Sequence, residues 1–263
     1  MGVMRQELRF CTAADGVRLA YASSGQGDPL VRAGHWMTHL DHDATSPVWR
    51  HWLRFLSELH TTIRYDERGC GLSDRQYPSI SLDDWVGDLE TVVDAARVDR
   101  FTLVGLCQGG PVAIAYAARH PDRVARLVLY GTYARGRLHR PPMPLAREEA
   151  SALIALTQVG WGRGNQAFRR LFTNLFIPGG SDEQMAWFDD LQRVSCSAEH
   201  AAQARTVKYD LDVTADAVAL RVPTLVLLAR HDASVPFDEG RHLAALVPEA
   251  RFVPLDSSNH ILL

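Results

Sequence analysis

The chain has 263 residues, 46% of them apolar and 22% charged, and a formal net charge of −3. That length holds one large α/β domain or two small ones, and the weak charge gives no reason to expect nucleic acid or an anionic membrane as partner. The opening residues, Met1 to Glu7, lack the apolar core of a secretory signal, and no later run is long enough to span a bilayer. Cys11, Cys70, Cys107 and Cys196 show no paired spacing, which fits reduced thiols and a cytoplasmic location. No repeat or low-complexity tract is present.

Leu8–Cys11 and Val17–Ala22, split by Asp15-Gly16, predict an N-terminal β-hairpin. Gly25-Gln26-Gly27-Asp28-Pro29 is a loop, and Leu30-Val31 starts a third strand. From Pro47 to Leu59, Trp49, Trp52, Leu53, Phe55, Leu56 and Leu59 recur at helical spacing. Thr61–Tyr65 is a β-branched strand. Ser81 is placed to cap a helix with acids in its first turn, running to about Arg97. Phe101–Val104 is a strand, Pro111–His120 a helix and Val124–Tyr130 another strand. Strands alternating with helices imply a mainly parallel sheet covered on both faces. After Gly131 the rhythm changes. Glu148–Val159, Asn165–Phe176, Asp182–Val194 and Ala198–Tyr209 are all helical in pattern, punctuated by Gly160-Trp161-Gly162-Arg163-Gly164 and Pro178-Gly179-Gly180. Residues 133–220 are therefore expected to form a helical cap on a core made of 1–132 and 221–263. The sheet resumes at Thr224–Ala229, followed by a helix over Asp238–Val247 and a last strand over Ala250–Leu255.

The chemistry centres on Gly105-Leu106-Cys107-Gln108-Gly109-Gly110. Strand, Gly-flanked tight turn and helix form the setting of a nucleophile elbow, with Cys107 where serine is usual. A thiol there gains from the helix N-terminus, which favours the thiolate. A cysteine in a core is more often an inert small hydrophobe; the elbow context reverses that preference. Asp232 follows one strand and His260 follows the last, both at strand ends where open α/β sheets place their sites. Cys107 is expected as nucleophile, His260 as general base and then acid, and Asp232 as the carboxylate that orients the imidazole. His231 adjoins Asp232 and should point elsewhere, and His242 sits in mid-helix. The N–H of Gln108 and that of His35, give or take one residue, are expected to form the oxyanion hole. Trp36 is expected to shape the acyl pocket, with Trp161 and Trp187 as further substrate contacts or as cap core.

These segments resemble the α/β-hydrolase superfamily over essentially the whole chain. The likeness rests on Asp66-Glu67-Arg68-Gly69-Cys70-Gly71-Leu72-Ser73-Asp74, the Gly105–Gly110 elbow, Val222–Val226 with Asp232, and Asn259-His260. Ser46–Trp52 and Tyr130–Arg137 are similar to capped members found alone or joined to bacterial regulator or nucleotide-cyclase domains. The resemblance implies an eight-stranded, mainly parallel sheet with an all-helical cap after the sixth strand. It implies a hydrolase acting on an ester, thioester or lactone through an acyl-cysteine, with no cofactor and no metal. An acyltransferase or cyclising thioesterase is the alternative enzyme, and a ligand-binding or regulatory module the alternative of another class. A small acyl substrate is the expected partner, with a homodimer left open. The chain departs from the pattern in three places. Cys107 replaces serine, as in dienelactone hydrolases, though an engineered replacement would look the same. Ala33-Gly34 replaces the usual His-Gly. Members also continue past the histidine into a helix that covers the sheet, so truncation after Leu263, or another way of covering that face, is implied.

Two further groups stand out. His35, His39, Asp41, His42 and Asp43 have metal-ligand chemistry, but the segment is expected to be a loop, where their spacing loses meaning. Arg135, Arg137 and Arg140, beside Pro141-Pro142, are either contacts for an anionic substrate or a solvated hinge. The hinge is the expectation.

Overall fold

A computed structural model describes residues 6–140, 146–162 and 164–263. The first residues, Pro141-Pro142 and Arg163 lie outside them. Eight strands form one sheet: β1 (Glu7–Thr12), β2 (Arg18–Ser24), β3 (Pro29–Arg32), β4 (Thr61–Tyr65), β5 (Phe101–Leu106), β6 (Val124–Tyr130), β7 (Thr224–Ala229) and β8 (Arg251–Leu255). Their order is β1-β2-β4-β3-β5-β6-β7-β8. β1, β2 and β4 pair antiparallel, and β4 through β8 pair parallel. The chain leaves β3 toward β4 on one side, then returns to place β5 on the other. That reversal opens a crevice beyond the C-terminal ends of β3 and β5, where an α/β sheet binds its ligand.

The helices are α1 (Leu40–Ala44), α2 (Arg50–Leu59), α3 (Leu82–Ala95), α4 (Gly109–Arg119), α5 (Ala146–Gly160), α6 (Gln166–Phe176), α7 (Asp182–Ser195), α8 (Ala198–Asp210), α9 (Thr214–Ala219) and α10 (Phe237–Leu246). Every residue of α4 from Gly109 to Ala117 is buried, so the helix behind the elbow cannot shift without disturbing the core. α5 to α9 lie between β6 and β7. The entry and exit of this stretch are tied together. Arg135 bridges Asp212 antiparallel, the Gly136 N–H meets the Leu211 carbonyl at 2.6 Å, and the Val213 N–H meets that of Ala134 at 2.8 Å.

Three local differences from the sequence pattern have physical causes. The helix expected from Pro47 starts at Arg50, because the Ser46 hydroxyl accepts the N–H groups of Val48 and Trp49 (2.9 Å each) and holds that stretch in a turn. The segment after β3, expected to be a loop, contains α1, whose first turn is capped by His39 Nδ1. α9 is too short to show a helical period and was not anticipated.

Glycine substitutions separate close packing from backbone preference. A Cβ on Gly110 would fall on the Thr132 side chain, whereas one on Gly87, in α3, meets nothing within 4 Å. Gly110→Ala is expected to lose about 1–3 kcal/mol through overpacking. Gly87→Ala is expected to gain about 0.5–1 kcal/mol of helix stability. Urea denaturation of the two variants checks both signs.

Candidate active site

Cys107 stands between β5 and α4 with φ +50°, a left-handed conformation rarely adopted by a residue with a Cβ. Such a backbone costs about 1–2 kcal/mol and persists only where its surroundings hold it. They do so here. The Cys107 N–H donates to the Tyr130 carbonyl (3.1 Å), and the Cys107 carbonyl accepts from the Gly110 N–H (3.1 Å) and the Thr132 hydroxyl (2.6 Å). A Cβ on Gly105 would come within 2.8 Å of Ala113, and one on Gly109 within 2.6 Å of the Gly34 carbonyl, so both glycines are required by close approach. The turn sets the thiol at the mouth of the crevice.

His260 and Asp232 reach the same point from other strands. Asp232 follows β7, and its Oδ1 accepts the N–H groups of Ser234 (2.7 Å) and Val235 (2.9 Å). Its Oδ2 lies 2.6 Å from His260 Nδ1, and both side chains are buried. The His260 Nε2 makes no other hydrogen bond and interacts with Cys107. The backbone of His260 hangs from the cap: its N–H donates to the Phe176 carbonyl at 2.8 Å. Phe176 also sets its ring edge-on to the imidazole, 5.4 Å between centroids. His231 is exposed and His242 lies on α10, so neither competes for the thiol.

The charges follow from this geometry. Burial disfavours protonated His260, but the Asp232 carboxylate and the Cys107 sulfur outweigh it and push the imidazole up to about 10. Burial raises the Cys107 thiol, yet His260, the charge of Lys208 and the Gln108 N–H together bring it below its ordinary value. A thiolate–imidazolium pair therefore spans the window between that lowered value and about 10. It is lost to a neutral thiol as pH falls below the window and to a neutral imidazole as pH rises above it.

Gln108 is fully buried, and its side chain donates to Glu67 Oε1 at 3.0 Å. Burial, the charge of Asp88 and the neighbouring thiols push Glu67 up to about 8. Among the described residues, the N–H groups of Gln108 and His35 donate to no backbone or side-chain oxygen. His35 is buried, which holds its ring well below the usual imidazole value, and its Nδ1 lies 3.0 Å from the Trp36 carbonyl.

Two cavities meet at Cys107. An apolar one is lined by Trp36, Met37, Phe188, Leu191 and Ile261 together with His35 and His260. Trp36 thus sits at the site. Trp161 does not line either cavity; it stacks behind Trp36 at 4.9 Å and bonds the Cys196 carbonyl through its Nε1. Trp187 is also away from the thiol, lying flat on His42 at 4.7 Å. Both act as cap packing, the alternative already inherent in their helical spacing.

A model of the alpha/beta hydrolase fold matches residues 42–165. The chain is 28% identical to AB hydrolase superfamily protein YisY of Bacillus subtilis over 75% of this chain and 74% of that protein. The chain has the α/β-hydrolase fold. Pyrrolizixenacetamide deacetylase of Xenorhabdus hominickii is 25% identical over 92% of this chain and 88% of its own. The enol-lactonase of Burkholderia xenovorans superposes with a TM-score of 0.78 at 25% identity, covering 96% of this chain and 93% of that one. Enzymes recur among the similar proteins, hydrolases beside a decarboxylase and a bromoperoxidase.

The second cavity was not foreseen. It is bounded by Cys107, Tyr133, Arg137, Arg140, Arg205 and Lys208, among others. Arg137 and Arg140 face it, which corrects the expectation of a solvated hinge. The 3-10 turn Arg137–His139 bends them inward, leaving the Arg140 side chain only 12% exposed. Arg205 and Lys208 were missed because a basic residue on a helix usually marks its solvated face; here α8 turns that face into the cap. The histidine cluster also resolves differently. Asp43 lies 3.7 Å from both Arg32 and Arg64, and balances buried charge rather than holding the histidines together. Cys70, Cys196 and His200 instead gather, all buried, with ligand atoms within 4.8 Å of one another.

Iodoacetamide labelling of Cys107 should level off at a lower pH than that of a free cysteine, which accelerates about tenfold per unit up to its pKa of about 8.5. Asp232→Asn removes the main support of the imidazolium and should slow labelling at pH 7 by about tenfold. Mass mapping against Cys70 and Cys196 provides the measurement.

Proposed function

We propose that this α/β-hydrolase cleaves an ester, thioester or lactone through an acyl-cysteine on Cys107. The observation that carries the reading is the buried line from Asp232 through His260 to Cys107, 2.6 Å long at its first step. The Cys107 thiolate attacks the acyl carbon and forms a C–S bond. The oxyanion is held by the N–H groups of Gln108 and His35, which have no other oxygen to serve. His260 then gives its Nε2 proton to the departing alkoxide or thiolate as the C–O or C–S bond breaks. In the second half, His260 takes a proton from water as the water attacks the thioester. The acid leaves and the thiolate is restored.

A deacetylase and an enol-lactonase among the similar proteins support acyl-carbon chemistry. Asp232 and His260, which a pure binding module would not need, favour turnover over simple retention of a ligand. An amine or alcohol in place of water would make the same steps an acyl transfer.

Intact-mass spectrometry after mixing with acyl thioesters and 4-nitrophenyl esters tests this. A transient acyl mass on Cys107, absent in Cys107→Ala, is the expected result. His260→Gln should lower turnover by about 10³-fold or more and lengthen the life of any adduct. Water, amine and alcohol acceptors then separate hydrolase from transferase. Absence of both adduct and turnover with every donor would sink the reading.

A further inference from the structure

We propose that the substrate carries a carboxylate, seated between Arg205, Lys208, Arg137 and Arg140 on the cap side of Cys107, with its apolar part in the opposite cavity. The inference rests on Cys107 being the point of attack and adds the substrate class.

The basic cavity has four cationic side chains in its lining and no acidic one. Two of the four have protein counter-ions. Arg137 pairs with Glu149 at 2.9 Å, and Arg140 lies 3.9 Å from Glu239, which it shares with Arg135. Among the described residues, Arg205 and Lys208 have no carboxylate at ion-pair distance, although they are only 3% and 6% exposed. A buried cation without a partner is costly, and a chain that needed only an apolar pocket would place apolar side chains here. Burial has pulled both groups below their ordinary values, Lys208 to about 7.

The geometry selects the anion. Arg205 Nη1 donates to the Tyr209 hydroxyl at 2.9 Å. Its Nε and Nη2 are buried with no hydrogen-bond partner. Those two nitrogens form the side edge of the guanidinium, whose parallel N–H bonds match the two oxygens of one carboxylate. Arg205 lies 4.3 Å and Lys208 3.8 Å from the centre of the Trp36 ring, so one aromatic ring holds both cations in place. The Cys107 thiolate feels Lys208 and Arg205, but it is one negative charge and His260 already faces it, so the cavity keeps an excess of positive charge.

The test compares mono-(4-nitrophenyl) adipate with its methyl ester, which differ only in the charge of the far end. The wild-type protein should prefer the acid by about tenfold or more in kcat/KM, the worth of one charge-assisted hydrogen bond. Arg205→Leu and Lys208→Met should bring that ratio close to unity, whatever happens to the absolute rates. Equal rates for the two esters in the wild type would overturn the inference and leave the acyl-cysteine reading standing. If neither ester acylates Cys107, calorimetry of adipate with Cys107→Ala decides the inference alone. Saturable binding that Arg205→Leu abolishes supports it, and no binding overturns it.

Discussion

A carboxylate and an imidazole, 2.6 Å apart and shut away from water, set the charge state of the whole crevice. Two backbone N–H groups hold the other oxygen of Asp232. Its charge keeps His260 protonated against burial, and the imidazolium in turn favours the thiolate. Remove the carboxylate and each later step weakens. The strained backbone of Cys107 has the same logic. Its unfavourable φ is tolerated because β6, Thr132 and the buried α4 leave the elbow no alternative.

The parts of this arrangement differed in how clearly the sequence showed them. β4, β6 and β7 begin and end where the sequence places them, since inner strands of a parallel sheet carry short, mostly apolar runs between turn residues. Ser81 marked the start of α3 because a hydroxyl before two acids has one stable use there. Cys107, Asp232 and His260 were legible because each follows a strand, and strand ends converge. Arg205 and Lys208 were not, because their meaning depends on which way α8 faces. That direction is set by packing between α8 and the α5 and Arg137–His139 segments, not by any local pattern. Trp161 and Trp187 failed for the converse reason: an aromatic at helical spacing shows that it is buried, not against what.

The cap has two jobs that pull in different directions. In the proposed acyl-cysteine route it must exclude water from the thioester, which calls for apolar packing such as Trp161 on Trp36 and Phe188 on Phe176. It also carries unpaired positive charge into the space it closes. Trp36 reconciles the two. It belongs to the core and supplies an apolar wall on one side, and its ring is polar enough over its face to steady a guanidinium and an ammonium. A neutral aliphatic side chain at that position would seal the crevice equally well but leave the cations without a seat.

The hydrogen bond from the His260 N–H to the Phe176 carbonyl joins the general base to the last turn of α6. Displacing that turn displaces the histidine, so the cap cannot swing away at this edge while the machinery stays assembled. The position of α6 and that of His260 are thus coupled at that edge. An acylated cysteine exposed by such an opening would lose its base at the moment bulk water arrived. In the proposed route, the intermediate would be protected by the same bond that positions the group meant to release it.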